Sequence, residues 1–294
     1  MKLLRVGPSG SERPAALDAA GQLVDLTGVV GDITGASLSG EELERIRAAV
    51  DGGGLPVLET GGLRIGPPLA HPGKIICIGL NYRDHAAETG ATLPSEPVMF
   101  LKAPDTVVGP YDDVLIPRGS TKTDWEVELA VVIGRNARYL ESEDEAIACV
   151  GGYAVVNDVS EREFQLERQG QWDKGKNSET FNPLGPWLVT ADEVADPQDL
   201  GLRLWVNGKP WQNGNTKNMA FGVAEIVRYL SQFVVLYPGD VINTGTPAGV
   251  ALGQPEPKPY LRAGDVVELE IDGLGRARQQ FVPAPMSGRS VAGA

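Results

Sequence analysis

The chain has 294 residues, of which 42% are hydrophobic and 22% are charged, and these globular values exclude wholesale disorder. It contains 26 Lys and Arg against 39 Asp and Glu, which gives a net charge of −13. Such an acidic surface is unsuited to nucleic-acid phosphates, and the chain has neither a long apolar run for a membrane span nor a signal peptide pattern. The two cysteines, Cys77 and Cys149, predict buried thiols in a reducing cytoplasm rather than a disulfide framework or a zinc site.

The N-terminal part of the chain carries two short strand patterns followed by one helix pattern. KLLRV (2–6) and QLVDLT (22–27) are typical of strands around a turn. We expect the helix to begin after Ser39, because Ser39 and Glu42 have the spacing of a capping box. The glycines at 52–54 are expected to end that helix.

A proline-rich stretch, GPPLAHPG (66–73), is the best candidate for a linker between two domains. Its three prolines cannot continue a helix or a central strand. We therefore expect a small N-terminal α/β domain over residues 1–70 and a larger domain over residues 71–285. Residues 286–294 are expected to form a flexible tail.

The larger domain is rich in strand patterns and poor in helix patterns. The predicted strands include KIICIGL, WEVELAVVIG, YAVVNDV, LRLWVNG, DVINTG and DVVELEI. One strong helix pattern follows at GVAEIVRYLSQF (222–233), and no glycine-rich dinucleotide motif is present. This pattern favours a β-rich α+β fold over alternating βαβ units.

Three acidic residues form the clearest candidate for a metal site. Glu126 and Glu128 lie in the strand pattern DWEVELAVV, where residues two apart share a face at about 7 Å. A solvated strand face could carry the same pair, but the flanking apolar residues predict a buried strand, where carboxylates must be paired or bind metal. Asp158 follows another apolar strand and could alone be an ordinary turn residue. Three carboxylates would suit Mg²⁺ or Mn²⁺ and would accept Ca²⁺.

Only two histidines are present, and one of them is a candidate general base. His71 lies in the proline-rich stretch and is expected at the surface. His85 and Glu88 would face the same way on a helical turn, and a carboxylate beside an imidazole makes a better base. A plain helix-surface pair would have the same spacing. Gly90 follows closely, so this segment is also a candidate lid.

A lysine segment and a glycine-containing loop complete the candidates. Lys176 lies among Gly, Asn, Ser and Pro, where a lysine is usually a solvated loop charge but could also stabilise a substrate oxyanion. A Schiff-base role would need a buried lysine with a depressed pKa, which a sequence does not reveal. The loop at 244–250 could bind a carboxylate or phosphate, or could be a tight structural turn.

Six segments, taken together, resemble the fumarylacetoacetate hydrolase family. They occur in the family's order over roughly residues 70–283 and are KIICIGLNYRDHAAE (74–88), EPVMFLKAPDTVVGP (96–110), DWEVELAVVIGRNAR (124–138), GGYAVVNDVSERE (151–163), WDKGKNSETFNPLGPWLVT (172–190) and YPGDVINTGTPAGV (237–250). The ordered set is more specific than any single motif, and it favours the functional interpretations over the structural ones.

The resemblance implies roles for nine residues in three groups. The implied metal ligands are Glu126, Glu128 and Asp158. The implied catalytic residues are His85 and Glu88, as a water-activating dyad on a lid helix, and Lys176. The expected substrate contacts are Thr246, Lys102 and Gly245.

The resemblance also implies a fold and an activity. It implies a mixed β-sandwich roll with a small N-terminal domain, in a homodimer, and Mg²⁺- or Mn²⁺-dependent C–C bond hydrolysis. The small-molecule substrate would be a 2,4-dioxo acid, either an acylpyruvate or a 2,4-diketo-3-deoxy sugar acid, and the product pyruvate. Residues 167–190 resemble the sugar-acid enzymes, although Asn177 departs from the family pattern. Oxaloacetate decarboxylation, 2-oxo-acid isomerisation and non-catalytic metal-dependent ligand binding are the alternatives.

Overall fold

The computed structural model describes residues 1–59 and 61–285, so the predicted tail at 286–294 lies outside the described residues. The strands of the described part are β1 Lys2–Val6, β2 Arg13–Leu17, β3 Leu23–Asp25, β4 Ile75–Gly79, β5 Val98–Lys102, β6 Val107–Val108, β7 Val114–Ile116, β8 Thr123–Asp124, β9 Val127–Ile133, β10 Val150–Asn157, β11 Ser160–Glu161, β12 Asn182–Pro183, β13 Leu188–Thr190, β14 Gly201–Val206, β15 Lys209–Asn215, β16 Val241–Asn243, β17 Val266–Ile271 and β18 Gly275–Pro283. The α-helices are α1 Gly40–Gly52, α2 Arg83–Thr89, α3 Glu143–Ala148, α4 Asp173–Lys176 and α5 Val223–Leu230. None of these helices is both long and apolar enough to cross a membrane.

Two mixed sheets organise the fold. The larger has nine strands in the order β3-β2-β1-β13-β10-β9-β16-β4-β5, and the smaller has five in the order β15-β14-β17-β18-β7. Each sheet contains one parallel pair, β16 with β4 and β18 with β7, while its other pairs are antiparallel. Two further sheets have two strands each, β11 with β8 and β12 with β6. The β-rich α+β prediction is confirmed, since most of the described chain's regular structure is in sheets and its few helices are short.

The central strands β9 and β10 are covered on both faces, which explains their continuous apolar sequences. Leu129 and Val131 of β9 join a core shared with the five-stranded sheet and α5. Ala130 and Val132, which alternate with them, join a second core shared with α1 and the N-terminal strands. The nine-stranded sheet is therefore the middle layer of the molecule.

The first 70 residues extend the nine-stranded sheet. Strand β1 pairs with β13 as well as with β2. Residues 66–70 of the predicted linker (66–73) are buried, whereas His71 is exposed, as predicted. Both parts of the chain thus contribute to one sheet, and the division at residue 70 stays a prediction about folding units.

Helix α1 begins after Ser39 as predicted, but the capping box at this residue is wrong. The Ser39 side chain makes no capping hydrogen bond. A 3-10 turn over Gly35–Leu38 precedes the helix, and its own capping box is formed by Thr34 and Ser37. This turn leads directly into α1, so the capping interactions form at the start of the 3-10 turn and not at Ser39.

Gly134 lies so close to the backbone of neighbouring segments that it has no room for a side chain. A Cβ on Gly134, which follows β9, would lie 2.7 Å from the Cα of Gly151 and 2.8 Å from the carbonyl oxygen of Leu38. We expect Gly134→Ala to lower the free energy of unfolding by about 1–3 kcal/mol through overpacking, measured by denaturant titration. Gly31→Ala is the control, because nothing lies within 4 Å of the added Cβ; equal effects of both variants would contradict this packing.

Candidate metal and active site

The candidate metal ligands lie where β10 ends and β9 begins. The strands are antiparallel with Asn157 opposite Val127, so Asp158 leaves β10 beside Glu126. The amide of Asp158 donates to the carbonyl oxygen of Glu126 at 3.0 Å, and the amide of Glu126 donates to Oδ1 of Asn157 at 3.1 Å. The single strand predicted through Glu126 is therefore interrupted before Val127, because side-chain and loop groups bond to the Glu126 backbone.

Three carboxylates converge at this point. One carboxylate oxygen from each of Glu126, Glu128 and Asp158 lies within 4.8 Å of those from the other two. The three residues are only 5%, 2% and 1% exposed, respectively. The sequence predicted that these residues would meet, and the structure brings them together in a buried cluster of the size that one divalent cation requires.

Positive side chains surround two of the three carboxylates. Nζ of Lys176 donates to Glu126 Oε2 at 2.8 Å and to Asp158 Oδ2 at 2.9 Å. Arg162 donates to Glu126 Oε1 at 2.7 Å and to Asp124 Oδ2 at 2.8 Å. These charge-assisted bonds compensate the burial of Glu126 and Asp158.

Lys102 lies behind Asp158, which differs from its predicted place against the substrate. Its buried ammonium donates to the Asp158 carboxylate, to the carbonyl oxygen of Phe181 at 2.6 Å and to that of Val159 at 3.3 Å. An ammonium has three N–H donors, so each has an acceptor within the protein. The geometry gives Lys102 the task of holding Asp158.

The surrounding charges shift the pKa values of Glu126 and Glu128 in opposite directions. Burial acts to raise the pKa of Glu126, but the charges of Lys176 and Arg162 outweigh it and hold that pKa well below its ordinary value. Burial and the charges of Asp158 and Glu126 raise the pKa of Glu128 well above its ordinary value. Glu128 is thus the carboxylate that the protein's own cations do not compensate.

Lys176 stays protonated in this setting. Burial acts to lower its pKa, but the charges of Asp158 and Glu126 outweigh that effect and raise the pKa. A Schiff-base lysine must be neutral to attack a carbonyl. The structure therefore favours the predicted electrostatic role over covalent catalysis.

The residues present fit a divalent cation. Within the described chain, Glu128 accepts one hydrogen bond, from the amide of Gly245 at 2.7 Å, and its second oxygen accepts none. Hard cations such as Mg²⁺ and Mn²⁺ prefer carboxylate oxygens. Positive charge among these oxygens would favour the ionised form of Glu128 and so oppose the raised pKa.

The histidine–glutamate pair lies on α2 as predicted, and both residues line the same cavity as the carboxylate cluster. His85 is 7% exposed, and its Nδ1 lies 3.6 Å from Glu88 Oε2, which is too long for a hydrogen bond. Glu88 instead accepts from the amide of Gly249 at 3.0 Å and from Gln254 Nε2 at 3.0 Å. The carboxylate is held by these donors, and the imidazole Nδ1 is buried without a hydrogen-bond partner among the described residues.

The loop after β16 also reaches the cavity, but its polar groups are already bonded. The amide of Gly245 holds Glu128, as described above. The hydroxyl of Thr246 donates to the carbonyl oxygen of Val127 at 3.0 Å and accepts from Gln212 Nε2 at 2.7 Å. Both residues line the cavity, so a substrate contact by either one stays a prediction.

The cavity has a volume of about 490 Å³. It also contains four polar residues that the sequence did not single out, namely Thr89, Arg162, Gln165 and Lys258. Arg162 could have been found from charge balance, because buried carboxylates need cations and this arginine follows Asp158 by four residues. Lys258 lies in a proline-containing loop with no recognisable motif.

Comparison with known proteins connects this site to a family. The family model described as fumarylacetoacetate (FAA) hydrolase, C-terminal, matches residues 74–282. The chain belongs to the fumarylacetoacetate hydrolase family. The predicted family membership is confirmed, and the chain is an enzyme of this family.

Several relatives cover nearly the whole chain. A protein of Burkholderia cenocepacia (strain HI2424), named provisionally as a hydrolase, is 55% identical over 95% of this chain and 98% of its own length. Three solved structures each cover 97% of this chain and 100% of their own. They are a fumarylacetoacetate hydrolase from Exiguobacterium antarcticum (35% identity, TM-score 0.82), a 2-hydroxyhepta-2,4-diene-1,7-dioate isomerase from Mycobacterium marinum (30%, 0.74) and a maleylpyruvate hydrolase from Sphingobium sp. SYK-6 in complex with manganese(II) and pyruvate (28%, 0.80).

Because the three carboxylates are the candidate metal ligands, we expect the loss of one of them to lower the affinity for metal. We expect Glu128→Gln to weaken Mn²⁺ binding at least about tenfold, because even partners outside the ligand set cost that much. Isothermal titration calorimetry measures the change. Glu44→Gln is the matched control, since the Glu44 side chain is 71% exposed on α1; Mn²⁺ affinity that is equal in both variants would exclude Glu128 as a ligand.

Proposed function

We propose that the enzyme hydrolyses a C–C bond in 2,4-dioxo acids and releases pyruvate in a reaction that requires a divalent cation. In the overall reaction, R–CO–CH₂–CO–COO⁻ and water give R–COO⁻, a proton and CH₃–CO–COO⁻. The C3–C4 bond breaks, the water oxygen joins C4, and C3 gains a proton.

The proposal rests on the position of His85 and Glu88 relative to the carboxylate cluster. A histidine paired with a glutamate, His85 and Glu88, lines the same cavity as the three buried carboxylates. Metal binding alone does not require a general base, whereas hydrolysis does. The pairing therefore favours a reaction with water over plain ligand binding.

The residues of the cavity can perform the steps of this reaction. His85 accepts a proton from water, and the nearby Glu88 carboxylate favours the imidazolium that forms. Glu126, Glu128 and Asp158 would hold the cation. Bound there, it would supply positive charge for the oxygens on which negative charge develops as the C–C bond breaks.

Lys176 can stabilise negative charge that develops in the same reaction. Its ammonium lies against Glu126 and Asp158 and lines the cavity. A charge fixed in a poorly hydrated cavity stabilises a developing oxyanion better than a mobile one in water. We assign Lys176 to the oxyanion that forms at C4 when water adds. The oxyanion would replace the longest hydrogen bond of this ammonium, which is donated to the carbonyl oxygen of Asp158 at 3.4 Å.

A substrate screen tests the proposal. The purified enzyme, with Mn²⁺ or with EDTA, is given acylpyruvates, a 2,4-diketo-3-deoxy sugar acid and oxaloacetate, and the products are quantified. We expect equal amounts of pyruvate and carboxylic acid from a dioxo acid, with one ¹⁸O from labelled water in the acid. Carbon dioxide from oxaloacetate alone would select decarboxylation, an isomerised 2-oxo acid without pyruvate would select isomerisation, and ligand binding without turnover would select a binding protein.

Removal of the proposed base separates catalysis from metal binding. We expect His85→Ala to lower turnover at least about 100-fold, the usual contribution of a general base, while Mn²⁺ affinity stays nearly unchanged. The control is His71→Asn, because His71 is exposed and asparagine tolerates its positive φ of 49°. Full turnover by His85→Ala would remove the dyad from the mechanism.

The position of Glu88 can be disturbed without changing any functional group. A Cβ on Gly253 would overlap Cδ of Glu88, so Gly253→Ala must move that carboxylate. We expect kcat to fall about 10- to 100-fold, because small displacements of catalytic groups carry such costs. Gly31→Ala again serves as the control. Unchanged kcat in Gly253→Ala would show that Glu88 need not lie where it does.

A further inference from the structure

Lys258 is a cavity lysine without a carboxylate partner. It is half-buried and lines the same cavity as the carboxylate cluster. Its ammonium donates to the carbonyl oxygen of Leu252, and within residues 1–59 and 61–285 it forms no ion pair. The other cavity cations, Arg162 and Lys176, are both paired with buried carboxylates.

The ammonium of Lys258 has capacity for a second anionic partner. One of its three N–H donors is used by Leu252, which leaves two for a ligand. Pro257 and Pro259 flank the residue, and their fixed φ angles restrict the loop. A cation held in this way loses less freedom on binding an anion than an unrestrained surface lysine does.

Lys258 lies on the side of the cavity that carries the proposed general base. The 3-10 turn Ala251–Gly253 precedes it, and this turn packs against α2, the helix of His85 and Glu88. Gln254, between the turn and Lys258, donates to Glu88 at 3.0 Å. Water activated at the dyad attacks C4, so the acyl arm that continues from C4 extends on this side.

The remaining cavity wall is mainly apolar. Its larger apolar residues are Ile78, Leu80, Phe100, Leu166, Trp172 and Leu252. The rings of Phe100 and Trp172 contact edge to face, with centroids 5.6 Å apart. A polyhydroxylated arm would lose hydrogen bonds to water against such a wall, whereas a short hydrocarbon arm would not.

We propose that Lys258 binds a second carboxylate at the far end of the acyl arm, so that the preferred substrates are 2,4-dioxo diacids with a short apolar arm. This assignment rests on the proposed function, because it takes the 2-oxo-acid end to lie at the carboxylate cluster. It distinguishes the diacids from the sugar monoacids that the sequence left open, whose arm beyond C4 carries hydroxyl groups and no charge. The charge attraction is strengthened by the partly apolar surroundings.

A matched substrate pair tests Lys258. Succinylpyruvate and butyrylpyruvate have arms of similar length, which end in a carboxylate and in a methyl group, respectively. We expect the wild-type enzyme to show a higher kcat/KM for succinylpyruvate. Lys258→Gln should lower that value about 10- to 100-fold, mainly through KM, as expected for loss of a charged hydrogen bond, and leave butyrylpyruvate nearly unchanged.

Two further variants separate charge recognition from structure. Lys258→Arg keeps the charge and should retain part of the preference for the diacid. Lys217→Gln removes a lysine whose side chain is 65% exposed and should change neither substrate. Equal losses on both substrates in Lys258→Gln, or no diacid preference in the wild type, would overturn the assignment.

Binding measurements keep this inference distinct from the proposed hydrolysis. Calorimetry with the Mn²⁺-loaded His85→Ala protein compares the affinities of the two acylpyruvates without turnover. Tighter binding of succinylpyruvate that is lost on Lys258→Gln supports the Lys258 site, even if the wild type cleaves neither compound and the hydrolysis is wrong. Equal affinities would reject the Lys258 site whatever the enzyme catalyses.

Discussion

The burial of three carboxylates at one point is the constraint on which the site depends. Isolated charges are costly away from water, and like charges in contact add to that cost. Glu126 and Asp158 are compensated by lysine and arginine bonds, but Glu128 receives one backbone N–H and has a raised pKa. A cluster that is compensated in part is the arrangement expected of a protein that completes it with a cation.

The fold serves this cluster by bringing distant segments together. Adjacent ends of β9 and β10 place Glu126 beside Asp158, and the loop after β16 supplies the amide that holds Glu128. Helix α2 follows β4, which is paired with β16, so the dyad reaches the same cavity. Lys102 compensates Asp158 from outside the cavity lining. Lys176, Arg162, the general base and Lys258 all line the cavity, and a substrate would lie among them.

The sequence predicted the parts of this arrangement that depend on local pattern. Strand periodicity and expected burial singled out Glu126 and Glu128, the position after an apolar strand singled out Asp158, and helical spacing singled out the dyad. The family resemblance then favoured their functional roles over the structural alternatives. The role of Lys102 could not be predicted from local pattern, because its partners Asp158 and Phe181 are 56 and 79 residues away along the sequence.

A long-range contact also accounts for a second difference between sequence and structure, and a local capping interaction accounts for a third. The pairing of β1 with β13 joins Lys2 to Val189 and Leu3 to Leu188, which are 187 and 185 positions apart, so no local sequence pattern predicts it. The capping box at Ser39 had the right residues, but the preceding 3-10 turn was decided by contacts around Thr34 and Ser37. The homodimer and the identity of the bound metal stay predictions, since both depend on partners outside the chain.

The most direct test of the account is the position of a bound metal. Anomalous diffraction from crystals grown with Mn²⁺ locates the ion without reference to activity. The account predicts a peak within coordination distance of oxygens from Glu126, Glu128 and Asp158. Fully ordered carboxylates with no peak between them at saturating Mn²⁺, or a peak held by other residues alone, would contradict it.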